Sequence, residues 1–169
     1  MKKGIILLGS SNSSGDTQKL VAFIADKTKY PLVDLKTKHI LPFDYEFQNQ
    51  HDDFIPLMRD IVNEYDLIIF ATPVYWYMMS GIMKTFFDRI SDCLKIEKAT
   101  GRKLRGMEMA VVSCGYDQVL KDGFYMPFIE TANYLGMKYS GSVHGWIEDG
   151  KMPTEIEQRL MEFIENIQK

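Results

Sequence analysis

Cysteine and histidine are scarce in this chain of 169 residues, which contains two cysteines and three histidines. Cys93 and Cys114 are too far apart to form a C-x-x-C pair, and the histidines show no metal-binding spacing. We therefore expect two free thiols, no metal site, and a reducing compartment, the cytoplasm.

A long apolar run is also missing. No segment approaches the roughly 20 apolar residues that a membrane span requires. The apolar stretch at residues 4–9 is shorter than the core of a secretory signal, which needs about 7–15 residues. We expect neither a membrane segment nor a secretion signal.

Excess charge of either sign is missing as well. Lys and Arg number 20 and Asp and Glu 23, so the net charge is −3, which disfavours a nucleic-acid partner. Hydrophobic residues make up 46% of the chain and charged residues 25%, as in globular proteins. The length predicts one domain, residues 1–169.

The remaining pattern alternates short apolar runs with amphipathic segments. Continuous apolar runs predict strands that are covered on both faces, at residues 4–9, 66–71 and 107–113. Residues 31–35 and 139–143 are two further, weaker candidate strands. Helical spacing predicts helices at residues 17–27, 54–65, 81–94, 125–135 and 154–167. Thr154 and Glu157 have the spacing of a capping box at the start of the last helix.

Strict alternation of strand and helix is typical of an α/β, doubly wound parallel sheet with helices on both faces. Five strands suit the flavodoxin-like strand order 2-1-3-4-5. In such a sheet the ligand lies beyond the carboxyl ends of the strands, where the winding reverses. The site is therefore expected in the loops after Gly9, Ala71 and Ser113.

The first of these loops, residues 9–17, is rich in hydroxyl groups and leads into a helix. A helix N-terminus favours an anion, and Ser10, Asn12, Ser14 and Thr17 add neutral donors. The loop lacks the lysine of a Walker A motif and does not read G-x-G-x-x-G, so it suits one phosphate monoester better than a triphosphate. The alternative is an ordinary serine-rich turn that ends in a helix cap.

The second loop, residues 72–81, contains three successive aromatic residues and two methionines. Such a cluster is hard to bury on one surface, and a planar ring would supply a stacking partner. An oligomer interface explains the same composition equally well. Ser80 is expected to cap the following helix.

The third loop begins at Ser113 and contains Cys114 and Gly115. Gly115 permits close approach of a flat ligand. No neighbouring residue in the sequence would lower the pKa of Cys114, so we expect a buried, inert thiol rather than a nucleophile.

At these residues the chain resembles the flavodoxin-like NAD(P)H-dependent FMN reductases and quinone reductases. The resemblance rests on three blocks, residues 9–17, 72–80 and 84–89. It implies that Ser10, Asn12, Asp16 and Thr17 surround the FMN phosphate, and that Ser113, Cys114 and Gly115 meet one side of the ring. The ring would also be lined by four successive residues of the second loop, Pro73, Val74, Tyr75 and Trp76.

The resemblance further implies a function. Hydride would pass from NAD(P)H through bound FMN to a quinone, a free flavin or a similar small acceptor, with no catalytic side chain, in a homodimer. Asp88 and Arg89 would be a structural helix pair, and the roles of Tyr116 and His144 are unassigned. The alternative is a flavodoxin-type one-electron carrier, which is usually far more acidic than this chain.

One departure from the family concerns the phosphate loop. Asp16 stands where the family usually has Asn, and the loop contains no Lys or Arg. Because a carboxylate aimed at a phosphate would repel it, we expect Asp16 to cap its own helix with the side chain turned aside.

Overall fold

The computed structural model describes residues 2–169, so Met1 of the expected domain 1–169 lies outside the described part. The strands are β1 (Gly4–Leu8), β2 (Leu32–Asp34), β3 (Leu67–Pro73), β4 (Glu108–Cys114) and β5 (Lys138–Gly145). The helices are α1 (Asp16–Thr28), α2 (Phe54–Glu64), α3 (Gly81–Lys95), α4 (Lys98–Lys103), α5 (Met126–Leu135) and α6 (Thr154–Gln168). In residues 2–169, no helix combines the length and apolarity that crossing a membrane would require.

The five strands form one parallel sheet in the order β2-β1-β3-β4-β5, which confirms the predicted flavodoxin-like topology. Leu8 at the end of β1 pairs with Ala71 of β3. Cys114 at the end of β4 pairs with Pro73 on one side and Gly145 on the other. The carboxyl ends of the strands therefore meet along one edge.

Two apolar layers enclose the sheet. On one face Phe70 packs against Phe86 and Phe87 of α3, with ring centroids 6.1 and 4.8 Å apart. On the other face Leu20 of α1 and Leu160 of α6 are fully buried. Because side chains alternate between the faces of a strand, a strand buried on both sides reads as one continuous apolar run.

In residues 2–169 the structure contains one α-helix that the prediction missed, in addition to a short 3₁₀ helix at Leu35–Thr37. Helix α4 has the sequence KATGRK, which carries no apolar stripe. Its position depends instead on a close approach, since a Cβ on Gly101 would lie 2.2 Å from the carbonyl oxygen of Cys93. The other predicted boundaries lie within two residues of the observed bounds.

One predicted cap is present and one is absent. Ser80 caps α3 as expected, because its Oγ accepts a hydrogen bond of 3.1 Å from the N–H of Met83. The capping box at Thr154 is wrong, since Thr154 is the first helical residue and no side-chain cap is formed. Pro153 takes the N-cap position, and its carbonyl accepts from Ile156 and Glu157.

Arg89 is a buried structural residue, as expected, although Asp88 is not its partner. Only 1% of its surface is exposed, and its guanidinium pairs with Asp52 and Asp92. It also donates to the carbonyl oxygens of Leu41 and Asn49, which ties the segment before α2 to α3. Asp88 pairs with Lys84 at the surface.

Candidate functional site

The three predicted site loops meet in a cleft of about 210 Å³ at the carboxyl edge of the sheet. We call it the polar cleft. Most of the predicted site residues line it: Ser10, Asn12, Asp16, Thr17, Pro73, Val74, Tyr75, Cys114 and Gly115. Strand register brings these loops together, because β1, β3 and β4 are adjacent and end at the same level.

Hydrogen bonds fix the first two loops to each other. The buried hydroxyl of Ser80 donates to the carbonyl of Gly9, and the N–H of Ser80 donates to Thr72 Oγ1 over 2.9 Å. The hydroxyls of Ser11 and Tyr75 lie 2.7 Å apart. Gly9 allows the contact, because a Cβ there would lie 2.9 Å from Met83 Cβ. The two loops therefore form one rigid rim.

The first loop presents neutral donors to the polar cleft. Ser10 is buried, and its Oγ accepts from the N–H of Asn12 over 3.1 Å. Gly15 is the N-cap of α1, so the first N–H groups of the helix have no acceptor within it. A Cβ on Gly15 would lie 3.1 Å from Asn12 Nδ2. This donor set fits a phosphate monoester.

Asp16 does not cap its helix, contrary to the expectation. It is the first residue of α1, no side-chain cap hydrogen bond is present, and its Oδ1 lies 3.0 Å from the Nζ of Lys19. Spacing i,i+3 along the helix brings these charges together. Lys19 thus places a cation next to Asp16 and offsets the carboxylate that lines the cleft.

The second loop makes a strained reverse turn. Tyr75 and Met78 exchange two backbone hydrogen bonds of 2.9 and 3.0 Å. Trp76 and Tyr77, which lie between them, have φ values of +49° and +66°. Residues other than glycine rarely adopt this left-handed backbone conformation. The turn leaves Trp76 92% exposed. Strain of this kind concentrates at binding sites.

A second cleft of about 210 Å³ adjoins the first, and we call it the aromatic cleft. It shares Val74, Gly115 and Tyr116 with the polar cleft. The turn forms one wall of the aromatic cleft and the loop after β4 forms another. The other residues that line this cleft are Trp76, Tyr77, Asp117, Val119, Leu120, Lys121, Phe124 and His144.

Three predicted site residues lie outside the polar cleft. Trp76 lines the aromatic cleft instead. Ser14 lines neither cleft, and its N–H and Oγ donate to Asn12 Oδ1 over 3.1 and 3.2 Å. Ser113 is fully buried beneath the clefts, where its hydroxyl contacts Tyr125 and His144.

The imidazole of His144 is hydrogen bonded at both nitrogens. Nδ1 lies 2.9 Å from the hydroxyl of Ser113, and Nε2 lies 2.8 Å from the carbonyl oxygen of Asp117. Burial lowers the pKa of His144, so the ring is neutral at neutral pH. Burial raises the pKa of Tyr125, whose hydroxyl lies 2.7 Å from that of Ser113, to about 12.

Both thiols are free and buried, and burial makes Cys114 inert, as expected. Burial raises the pKa values of Cys93 and Cys114 to about 12 each. Neither is therefore a nucleophile at neutral pH. Within residues 2–169, no three His, Cys, Asp or Glu side chains are grouped to hold a metal ion.

Sequence reasoning missed Ile147 and most of the loop after β4. Ile147 follows β5 and lines the polar cleft. The rule that ligands lie beyond the carboxyl ends of strands applies equally to β5, whose following loop is not among the three predicted site loops. The loop at residues 116–124 has no motif that would mark it as a wall.

Known proteins resemble the chain in sequence. A protein of Bacillus subtilis (strain 168) that carries the name NAD(P)H-dependent FMN-containing oxidoreductase YwqN is 30% identical over 114 residues, which are 65% of this chain and 61% of YwqN. The uncharacterized NAD(P)H oxidoreductase YdeQ of the same strain is 23% identical over 137 residues, 75% of this chain and 64% of YdeQ. The chain thus spans less than two thirds of the length of either relative.

Solved structures resemble it in fold. The Trp repressor binding protein from Bacillus subtilis superposes with a TM-score of 0.76 at 21% identity, covering 98% of this chain and 97% of that one. An FMN-dependent NADH-azoreductase from Bacillus anthracis, solved in complex with FMN, gives 0.70 at 13% identity, covering 99% and 97%. At these identities the likeness establishes the flavodoxin-like fold.

A family model also matches the sequence of the chain. Residues 1–143 match the model described as NADPH-dependent FMN reductase. That match covers most of the chain, including every loop that lines the polar cleft except the segment at Ile147. The chain therefore belongs to the NADPH-dependent FMN reductase family, whose cofactor is FMN.

Proposed function

We propose that the protein takes hydride from NAD(P)H and reduces a small acceptor, a quinone or a free flavin, by way of bound FMN. One observation carries the proposal: a donor-rich cleft and an aromatic cleft adjoin at the carboxyl edge of the sheet and share Val74, Gly115 and Tyr116. Such a pair suits a ligand with an anionic end and a planar end, followed by a second planar molecule.

The polar cleft would hold the phosphate. Ser10, Asn12 and Thr17 line it, and the N–H groups at the start of α1 carry the positive end of the helix dipole. The Asp16–Lys19 pair keeps the local charge balanced.

The backbone of the second and third loops would face the ring. When bound, FMN supplies a ring that accepts a hydride and passes two electrons on. The N–H groups of Val74 and Gly115 already donate to Cys114 and Gly145, over 2.8 and 3.2 Å. In the described part of the chain, the N–H groups of Trp76 and Tyr116 donate to no other backbone group, so both would remain as donors that stabilise negative charge on the ring.

We also propose a cytoplasmic homodimer in which residues 1–169 form a single FMN-binding domain. Trp76 and Tyr77 are 92% and 60% exposed, and Tyr75 and Met78 beside them are also exposed. A partner subunit that covers this patch would remove apolar surface from water next to the aromatic cleft. Sedimentation of the flavin-loaded protein tests this assembly.

Ligand binding tests the cofactor site. The purified protein is titrated with FMN and, separately, with riboflavin, which lacks the phosphate, and flavin fluorescence is followed. We expect FMN to bind at least tenfold more tightly. Thr17→Val should weaken FMN and leave riboflavin unchanged, whereas the same change at Thr131, on α5 outside both clefts, should affect neither. A protein that binds no FMN would contradict the proposal.

Turnover then separates an enzyme from a carrier. The loaded protein is mixed with NADH or NADPH and a quinone such as menadione, and loss of absorbance of the reduced nicotinamide is recorded. Sustained oxidation is expected. A protein that holds FMN but oxidises neither nucleotide would instead be a flavodoxin-type carrier.

A further inference from the structure

The hydrogen-bond partners of His144 determine where its proton sits. A backbone carbonyl can only accept, so the contact of 2.8 Å between Nε2 and the Asp117 oxygen requires a proton on Nε2. In a neutral ring Nδ1 then carries none and accepts the proton of Ser113. Because the Ser113 hydroxyl donates its single proton to Nδ1, the Tyr125 hydroxyl must be the donor in the hydrogen bond between Tyr125 and Ser113.

This arrangement makes His144 unsuited to deliver a proton. Both nitrogens are occupied, and the ring is neutral. The imidazole of His144 instead holds the loop between β4 and α5, residues 115–125. It does so through Nε2, which contacts the carbonyl of Asp117 in the exposed part of that loop. The ring itself is fixed from below through Ser113, which is fully buried on β4.

The held loop forms one wall of the aromatic cleft. Tyr116, Val119 and Leu120 line the cleft from the loop side, opposite Trp76 and Tyr77. A Cβ on Gly115 would lie 3.5 Å from His144 Cε1 and 3.3 Å from Val74 Cβ, so the ring lies close to the base of both walls. The width of the cleft therefore depends on where His144 keeps the loop.

We propose that His144 is a positioning residue, which clamps the loop after β4 through the Asp117 carbonyl and so sets the cleft that receives the second substrate. This inference rests on the proposed function. The substrate class that fits is a flat, largely apolar aromatic ring with an anionic or polar end. The walls present Trp76, Tyr77 and Phe124, and Lys121 is a cation among the lining residues.

Two substitutions separate the two hydrogen bonds of the ring. Gln places its amide near the position of Nε2 and donates to Asp117, whereas Asn places its amide oxygen near Nδ1 and contacts only Ser113. We expect His144→Gln to keep the KM for menadione within about twofold. His144→Asn should raise it about five- to tenfold, the loss of one neutral hydrogen bond, with kcat and FMN affinity nearly unchanged.

Two readouts on the FMN-free protein do not depend on the proposed activity. Long-range ¹⁵N–¹H spectra of the imidazole should report the Nε2–H tautomer. Trypsin should cut after Lys121 faster in His144→Asn than in His144→Gln, with circular dichroism as the check that both variants fold.

The outcomes are distinct. An Nδ1–H tautomer, or equal KM values and equal cleavage in the two variants, would overturn the role of His144. The ¹⁵N–¹H spectrum is recorded on the unsubstituted protein, so the tautomer still tests the role of His144 if a variant fails to fold. Absence of FMN binding with the expected tautomer and cleavage would overturn the proposed function and leave the clamp standing.

Discussion

The hydroxyl of Ser80 donates a hydrogen bond to the carbonyl oxygen of Gly9, and this contact joins the loop after β1 to the start of α3. The Oγ of Ser80 also accepts a hydrogen bond from the N–H of Met83 and thereby caps the helix. One buried side chain thus completes the helix end and sets the spacing of the two loops that line the polar cleft.

Ser80→Ala should therefore reduce both stability and cofactor affinity. The Gly9 carbonyl and the Met83 N–H would lose their partner in a buried place, which costs about 1–3 kcal/mol. Urea unfolding and FMN titration measure the two effects. Ser91→Ala, on the same helix, is the control and should change neither, and equal FMN affinity in both variants would contradict the spacing role.

The charge pair at the start of α1 yields a second prediction. Asp16→Asn should strengthen FMN binding about two- to fivefold, because a partly exposed negative charge leaves the polar cleft, where we propose the phosphate binds, while Lys19 stays. Lys19→Gln should weaken it by a similar factor. Both effects should shrink as salt is added, and riboflavin affinity should not change.

The same helix offers a matched control for this pair. Asp26 and Lys29 form an ion pair of 3.1 Å with the same i,i+3 spacing at the other end of α1. Asp26→Asn should leave FMN affinity as it is. An increase of equal size there would mean that net charge, rather than position beside the cleft, controls binding.

The three central strands could be predicted because strands buried on both faces produce continuous apolar runs, whereas the edge strands β2 and β5 are only partly buried and show weaker apolar patterns. Residues 66–71 are an example, since they overlap β3, which is buried throughout. The site loops followed from strand order alone. Helix α4 could not be found this way, because close backbone packing at Gly101, rather than an apolar stripe, stabilises it.

The finer geometry of the site depends on tertiary contacts that sequence spacing does not contain. Repulsion between a carboxylate and a phosphate predicted that Asp16 would cap its helix, but Lys19, one helical turn later, is its partner. Ser113 lies next to Cys114 in the sequence, yet alternation along β4 turns it away from the polar cleft, toward His144. The left-handed conformations of Trp76 and Tyr77 have no sequence signal, because turns of this kind usually contain Asn and Gly.

Relief of that strain provides a third prediction. Replacing Trp76 with Asn and Tyr77 with Gly should stabilise the fold by about 1–2 kcal/mol, since both residues tolerate positive φ. The same change removes the aromatic wall and should weaken FMN binding or dimer formation. Tyr45→Asn, which alters an exposed aromatic residue away from the clefts, should do neither. A destabilised double variant would show that the turn carries no releasable strain.

The buried ion pairs of Arg89 provide the last prediction, which concerns the stability of the fold and its dependence on pH. Arg89→Met should destabilise the protein by about 3–5 kcal/mol, because Asp52 and Asp92 would remain buried without a cation. The control is Arg159→Met, which breaks an exposed pair and should cost less than 1 kcal/mol.

The pH dependence follows from Asp52. Burial works to raise its pKa, but hydrogen bonds from Arg89 and from the N–H groups of Leu41 and Phe54 hold the pKa below the ordinary value of 3.8. The stability that this depressed pKa confers is complete above 3.8 and is lost as the pH falls through the lower folded-state value. Burial raises the pKa of Asp92 instead, so that group does not add to the acid loss. Unfolding curves for the unsubstituted protein and Asp52→Asn should therefore lie far apart at pH 6 and converge below pH 3.8, and a constant separation would contradict the assignment.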